Sequence, residues 1–384
     1  MEKAKLLLLA PFEIMPPHFG SSERIYNIVK QLANDGRFEL FVLYTDYAQV
    51  RNVKPHSEVW PNATLISVGP RQRWAQFFNP RFLLRALRII SIEKPALLFC
   101  NHLWAGIHAV ILHLLTGIPV VLDEHNAEYI RFQRMKRKSA SLIRLWEQVV
   151  CHFATNVIAV SEADRQHLMR LGVADAKITV IPNAIDMHQY YPDPNIRTQV
   201  YAELNLPLEQ PYLLFFGKLD YQPNAEAINV LVTEIMPRIL QVEPTVWFVV
   251  CGYNPPREQY RHPRLIFTGI VPRIEHYINA SAGVIVPLIS GGGTKFKIIQ
   301  AIACGKPVIT TTLGAEGIED AGAWLQVSDD WETFSRLAIQ LLRQSPLIPD
   351  DRLDNFRYQY SWEYMKNLLI QLLQHRLSLF ERRV

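Results

Sequence analysis

Residues 290–300 read Ser290-Gly291-Gly292-Gly293-Thr294-Lys295-Phe296-Lys297-Ile298-Ile299-Gln300, and the chain continues through Ala303, Cys304, Gly305, Lys306 and Pro307 to Val308. Three glycines ahead of a threonine and two lysines suit an anion. Glycines let backbone amides approach closely, and a helix opening here aims its free N–H groups and positive dipole end at the ligand. The apolar run ending at Pro287 predicts a strand, and Phe296, Ile299 and Ala303 predict one face of a helix opening near Thr294. Lys297 and Gln300 fall three apart on another face. The fitting ligand is a phosphate with a hydrogen-bonding group beside it. A glycine turn with solvent-facing lysines is the plain alternative on this motif alone. The pattern G-x-x-x-x-G-K-S/T is absent and no G-x-G-x-x-G follows the first strand, which argues against nucleoside triphosphatase and NAD chemistry.

Two further segments lie where a parallel sheet binds ligands, just past the carboxyl ends of strands. Pro16-Pro17-His18-Phe19-Gly20-Ser21-Ser22-Glu23-Arg24 follows the first apolar run and precedes the helical stretch Ile25 to Leu32. Asp123-Glu124-His125-Asn126 follows Val120 to Leu122. Of the 12 histidines, His125 stands out by this position. No metal site is expected. Cys100, Cys151, Cys251 and Cys304 are more than fifty residues apart, and no D-x-D pair is present to hold a divalent ion against a diphosphate.

These residues need a scaffold, and the pattern of the chain supplies one. Short apolar runs alternate with helical-period stretches: Leu6 to Ala10, Leu40 to Tyr44, Leu97 to Cys100, Val120 to Leu122, Val157 to Val160 and Thr179 to Ile181. A second series runs through Tyr212 to Phe216, Val246 to Cys251, Leu265 to Thr268, Val284 to Pro287 and Val308 to Thr311. Such near-continuous apolar strands predict parallel sheets covered on both faces. The fold expected is α/β, with two Rossmann-like domains facing across a cleft: 1–185, a proline-bearing linker 186–210, and 211–355. Residues 356–384 end in an amphipathic helix, with Trp362, Met365, Leu368, Leu369, Leu372 and Leu373 at helical spacing, which could return to the first domain. Ser161 reads as a helix cap and Gly117 as a helix stop.

With 384 residues, 49% hydrophobic and 20% charged, the chain has ample core for two domains. A formal charge of +4 excludes a tail-like nucleic-acid binder, so basic surfaces must be local. Arg131, Arg134, Lys136, Arg137, Lys138 and Arg144 form one such run without an acid between Arg131 and Arg144. Arg71, Arg73, Trp74, Phe77, Phe78, Arg81, Phe82, Arg85 and Arg88 form another. Contact with an anionic membrane and solvated helix faces are the two readings of these runs. The opening apolar run is short for a signal peptide, and Leu103 to Leu122 is broken by Gly117 and Pro119. The expected setting is reducing and cytoplasmic, at the inner face of the membrane if the basic runs bind it.

The segment 290–308 resembles the G-G-G-T-R/K-x-K-x-x-E-A-x-A-x-G-x-P-V block of the family 4 glycosyltransferases, retaining sugar transferases of GT-B architecture. Gly314-Ala315-Glu316-Gly317, Gly217-Lys218-Leu219-Asp220-Tyr221-Gln222-Pro223-Asn224, Val160 to Asp164 and Ile181-Pro182-Asn183 are similar to further landmarks in the family's order. The resemblance covers nearly the whole chain. It implies a nucleotide-diphosphate sugar as co-substrate, with no separate cofactor and no metal, and a glycan or lipid-linked acceptor. Gly292, Gly293 and Thr294 would cradle the diphosphate; Lys295, Lys297 and Lys218 would neutralise it. Gln300 stands where a glutamate usually holds the ribose, and Glu316 joins the donor set. Gly20 and Ser21 would approach the donor phosphates, with Arg24 a weaker candidate, and His125 would orient the transferred sugar. Gln300 and Gly292 depart from the commoner pair of glutamates. A binding or scaffold protein that kept the fold without turnover, and a GT-B nucleotide-sugar epimerase, are the competing functions.

Overall fold

A computed structural model describes residues 3–15, 20–46, 60–70, 78–256, 259–344 and 350–381. The chain divides into two compact units, Met1–Ala184 with Trp362–Val384, and Ile185–Ser361.

In the first unit the order is β1 (Ala4–Ala10), α1 (Gly20–Asp35), β2 (Phe38–Asp46), β3 (Ala63–Pro70), α2 (Pro80–Glu93), β4 (Leu97–Asn101) and α3 (Gly106–Thr116). Then come β5 (Val120–Asp123), α4 (Glu128–Arg134), α5 (Ala140–Phe153), β6 (Asn156–Ala159), α6 (Glu162–Arg170) and β7 (Ile178–Val180). The seven strands are parallel, in the order β3-β2-β1-β4-β5-β6-β7. Every residue of β4, β5 and β6 is buried, the reason their runs are apolar throughout. Gly117 does stop α3: its φ is 72° and its amide donates to the His113 carbonyl at 2.8 Å. Ser161 caps α6, its Oγ accepting from the Asp164 amide at 3.1 Å.

The second unit runs α7 (Arg197–Glu203), β8 (Tyr212–Phe216), α8 (Gln222–Val230), α9 (Met236–Val242), β9 (Trp247–Cys251), β10 (Leu265–Gly269), α10 (Ile274–Ala280) and β11 (Gly283–Val286). It continues with α11 (Phe296–Ala303), β12 (Val308–Thr310), α12 (Thr312–Ala315), β13 (Leu325–Val327), α13 (Trp331–Arg343) and α14 (Asp351–Gln359). Six parallel strands are ordered β10-β9-β8-β11-β12-β13. The chain then re-enters the first unit with α15 (Trp362–Glu381), which packs on α1. Met365, Leu369 and Leu373 are buried in that unit's core, each contributing about 1.5–3 kcal/mol of apolar burial.

Three details differ from the sequence expectation. Residues 186–210 are no free linker: Tyr190, Val200, Tyr201 and Leu206 are buried in the second unit's core, with α7 among them. β3 went unanticipated because it lies at the sheet edge, where threonine and serine interrupt its apolar residues. β13 is three residues long and partly exposed, too brief to show a period. The four cysteines are free and buried, as their apolar surroundings predict.

Candidate functional site

In the second unit Phe216 and Cys251 lie in register at the ends of β8 and β9, so Gly217 and Gly252 follow side by side. Both have positive φ, 148° and 152°. A Cβ on Gly252 would fall 1.8 Å from the Gly217 carbonyl oxygen, so only glycine fits there. From this tight pair the chain turns through Lys218 into α8. Asn224, buried in the first turn of α8, ties two segments together. Its Nδ2 donates to the Lys218 carbonyl at 2.8 Å, and its Oδ1 accepts from Lys297 Nζ at 2.7 Å.

Lys297 is the electrostatic feature of this edge. Its ammonium lies 4.3 Å from the centroid of the Phe215 ring, a cation–π arrangement. Among the described residues no carboxylate pairs with it. Burial first, then the charge of Lys295, pushes its pKa down to about 7. An amide oxygen and a ring face hold the ammonium without compensating it, so an anion placed here recovers interaction energy the free protein lacks.

Thr294 is buried and its Oγ1 has no hydrogen-bond partner. Lys295 Nζ donates to the Gly293 carbonyl. The helix opens at Phe296, two residues later than the spacing predicts, because Gly293 has φ 70° and Lys295 is extended. No side chain caps α11, which leaves its first amides for another acceptor. Gln300, one turn on, donates from Nε2 to the Tyr190 hydroxyl at 2.9 Å. Lys218 is exposed, 3.9 Å from the Asp220 carboxylate. Glu316 stands at the end of α12, just past β12.

The remaining predicted residues belong to the first unit. Gly20 and Ser21 open α1; Pro16, Pro17, His18 and Phe19 lie outside the described residues. Arg24 overturns the expectation of a phosphate ligand. It is buried, and each guanidinium nitrogen is engaged internally: Nε and Nη2 with the Asp123 carboxylate at 2.9 and 2.8 Å, Nη2 also with the Ile181 carbonyl, and Nη1 with the Pro182 carbonyl and Asn183 Oδ1. No donor is left over. It fastens α1 to β5 and to the Ile181-Pro182-Asn183 turn.

Asp123 also binds His125, whose Nε2 lies 3.0 Å from Oδ2. Arg24 and His125 outweigh the cost of burial and hold the Asp123 carboxyl well below the usual carboxylate range. An ionised carboxylate only accepts, so the shared proton resides on Nε2. That leaves Nδ1, buried and without a partner, as an acceptor in the neutral ring. His102 packs edge-on against His125 at 5.1 Å and adopts φ 69°, unusual for a residue with a side chain.

The predicted residues thus form two sets: Gly20, Ser21 and His125 in the first unit, and Lys218, Gly292, Gly293, Thr294, Lys295, Lys297, Gln300 and Glu316 in the second. Sequence reasoning placed Asn224 in a family landmark without giving it a role, and missed Tyr190 and His102. Asn224 had a signal, an asparagine at a helix start beside a strand-end glycine. Tyr190, 110 positions from Gln300, had none.

Residues 20–189 match the family model for Glycosyltransferase Family 4, and residues 210–344 that for Glycosyl transferases group 1. The chain belongs to glycosyltransferase family 4. It is 27% identical over 179 residues to alpha-maltose-1-phosphate synthase of Mycolicibacterium smegmatis, covering 45% of this chain and 44% of that enzyme. It is 24% identical over 246 residues to the UDP-Gal:alpha-D-GlcNAc-diphosphoundecaprenol alpha-1,3-galactosyltransferase of Escherichia coli, covering 60% and 61%. The matches span about half the length of these two relatives. Sucrose-phosphate synthase from Thermosynechococcus elongatus shares the fold of this family member, with a TM-score of 0.79 at 18% identity over 98% of this chain and 100% of that one.

Proposed function

We propose that the protein is a retaining, metal-independent glycosyltransferase that moves a sugar from a nucleotide-diphosphate donor to a glycan or lipid-linked acceptor. The observation that carries this reading is Lys297. It is a desolvated ammonium with no carboxylate partner among the described residues, in the first turn of an uncapped helix that follows the unpartnered Thr294 hydroxyl by two residues. A diphosphate satisfies all three at once. The Gly292 and Gly293 turn and the first amides of α11 bind its oxygens, while Lys297 and Lys295 neutralise charge that grows as the diphosphate leaves. Lys218 and Glu316 complete the donor set. Gly20 and Ser21 stay assigned to the donor phosphates on the family resemblance, as does retention. His125, fixed by Asp123, offers Nδ1 to a sugar hydroxyl and orients the sugar.

The Escherichia coli relative is named for a UDP-sugar donor and an undecaprenol-linked acceptor, which supports a donor and acceptor of those classes here. A cytoplasmic setting fits the four free cysteines. One observation favours a second reading, a nucleotide-sugar binder without turnover: the Gln300 amide is already engaged by Tyr190. A panel of nucleoside diphosphates and sugar nucleotides in a thermal-shift assay tests the site, because a bound ligand raises the melting temperature by mass action. One sugar nucleotide should shift the wild type and leave Lys297→Ala unmoved; an equal shift in both would refute the assignment. Product analysis with that donor then separates transfer from binding alone and from epimerisation.

A further inference from the structure

The first unit carries a surface that its core does not use. In sequence this unit has 26 Lys and Arg against 17 Asp and Glu, whereas the second has 14 against 19. The excess is concentrated between residues 78 and 153. That stretch holds ten basic residues and five acids, and four of the acids, Asp123, Glu124, Glu128 and Glu147, are buried. The fifth, Glu93, is paired with Lys5 at 3.0 Å. What remains at the surface is of one sign: Arg81, Arg85 and Arg88 on α2, Lys136 and Lys138 after α4, and Arg144 on α5 are exposed.

The same helices expose aliphatic side chains. Leu84 and Ile92 on α2, Leu114 and Leu115 on α3, and Leu142 and Leu145 on α5 are 59–66% exposed. α3 packs on both neighbours. Its Gly106 meets the Val150 side chain of α5, and its His108 accepts from the Asn79 amide that precedes α2. Each helix turns a separate apolar face to the unit's core, through Phe82, Ala86 and Ile89 on α2, Ala109 and Leu112 on α3, and Ile143 and Val150 on α5. The exposed leucines are therefore additional to the core stripe. Scattered apolar residues on a surface are ordinary; six large ones on three adjoining helices, interleaved with arginine and lysine and with no exposed unpaired acid, are not.

We infer that the outer faces of α2, α3 and α5 form a docking surface for an anionic lipid bilayer, with Leu84, Leu114, Leu115, Leu142 and Leu145 entering the headgroup boundary and the basic side chains meeting lipid phosphates. The charge argues for this occupant. A second copy of the chain would bring the same positive charge against itself, whereas an anionic leaflet complements it. Among the described residues no helix is long and apolar enough to cross a membrane; the surface described here lies on a bilayer. Arg71, Arg73, Trp74 and Phe77, read with α2 as one basic run, lie outside the described residues. The inference extends the proposed function by naming a partner and rests on no residue of the donor set.

Flotation of the full chain with phosphatidylcholine vesicles, with and without about one-third phosphatidylglycerol, tests it. Two variants accompany the wild type: Leu115→Gln with Leu142→Gln and Leu145→Gln, and Arg85→Gln with Arg88→Gln and Arg144→Gln. Wild type should float with the anionic vesicles and lose most of that binding at high salt. The arginine variant should bind about tenfold more weakly at low salt, and the leucine variant should lose binding at both salts. All substituted side chains are exposed, so melting temperature and sugar-nucleotide shift should match wild type, which keeps a failure here distinct from a failure of the donor site. No flotation with anionic vesicles, flotation that neither variant weakens, or a solution dimer that the leucine variant dissolves would overturn the assignment.

Discussion

Each unit holds a cation beside the carboxyl ends of its strands, Arg24 fully buried and Lys297 partly so, and the two are treated oppositely. Arg24 is matched completely, by the Asp123 carboxylate, three backbone or side-chain oxygens of 181–183, and no remaining donor. Lys297 has an amide oxygen and a ring face and no carboxylate among the described residues. A matched buried charge holds elements together and has nothing to give a ligand. An unmatched one weakens the free fold and is repaid when an anion arrives. Residue type separates the two only in part; the count of partners decides.

The contrast breaks first at Arg24. Removing one member of a buried ion pair strands the other, so Arg24→Ala should lower stability by about 3–5 kcal/mol in chemical denaturation. Lys297→Met strands no carboxylate, and its unfolding midpoint should equal or exceed that of the wild type. A comparable loss in both variants would end the distinction. Calorimetric titration of the best sugar nucleotide should show Lys297→Met losing about 1.5–3 kcal/mol of binding, the size of a charge-assisted hydrogen bond. Asn224→Asp sharpens the point by supplying the missing carboxylate 2.7 Å from the ammonium. It should raise the Lys297 pKa and weaken the donor about tenfold, because diphosphate and carboxylate then compete. The readout is donor affinity and not the unfolding midpoint, since the same change removes the Nδ2 donor to the Lys218 carbonyl.

Proton linkage gives a smaller, signed effect. Lys297 titrates at about 7 in the free protein, and a bound diphosphate favours its charged form. Binding therefore takes up a proton above that value, and affinity should fall by up to about tenfold per pH unit as pH rises past 7. A sugar nucleotide is the right probe, since its diphosphate is esterified at both ends and keeps its charge; the slope should vanish in Lys297→Met. The smallest effect belongs to the first unit. Burial, with Glu147, Glu128 and Asp123 nearby, raises the Glu124 pKa, and both its oxygens lack partners. A carboxyl raised in the fold contributes stability below its unfolded value and loses it as pH climbs, so Glu124→Gln should be worth about 1 kcal/mol at pH 8 and little at pH 5, read from melting curves.

Much of this molecule is legible in one dimension. Near-continuous apolar strands are dictated by burial on both sheet faces, so the alternation with helices and the two parallel sheets follow from local pattern. Gly117 and Ser161 act over three or four residues and were readable for that reason. The glycine-threonine-lysine segment shows its chemistry because strand, turn and helix start are consecutive. Limits appear where partners are distant. Arg24 looks like a phosphate ligand in a loop beside a strand end, and only the approach of Asp123, 99 positions away, and of residues 181–183 uses up its donors. The tyrosine that holds Gln300 and the asparagine that holds Lys297 are likewise brought by the fold.

The sequence by itself determined the two-sheet α/β plan, the place of the anion-binding turn and the family. Each rests on hydrophobic period or on short-range backbone geometry, and neighbours in the chain suffice for both. Tertiary structure alone decided which cation is spent and which is held open, where the expected linker packs, and which leucines stay outside the core. Those outcomes depend on burial and on partners far along the chain, and a desolvated charge takes its meaning from what the fold places within about 3 Å of it.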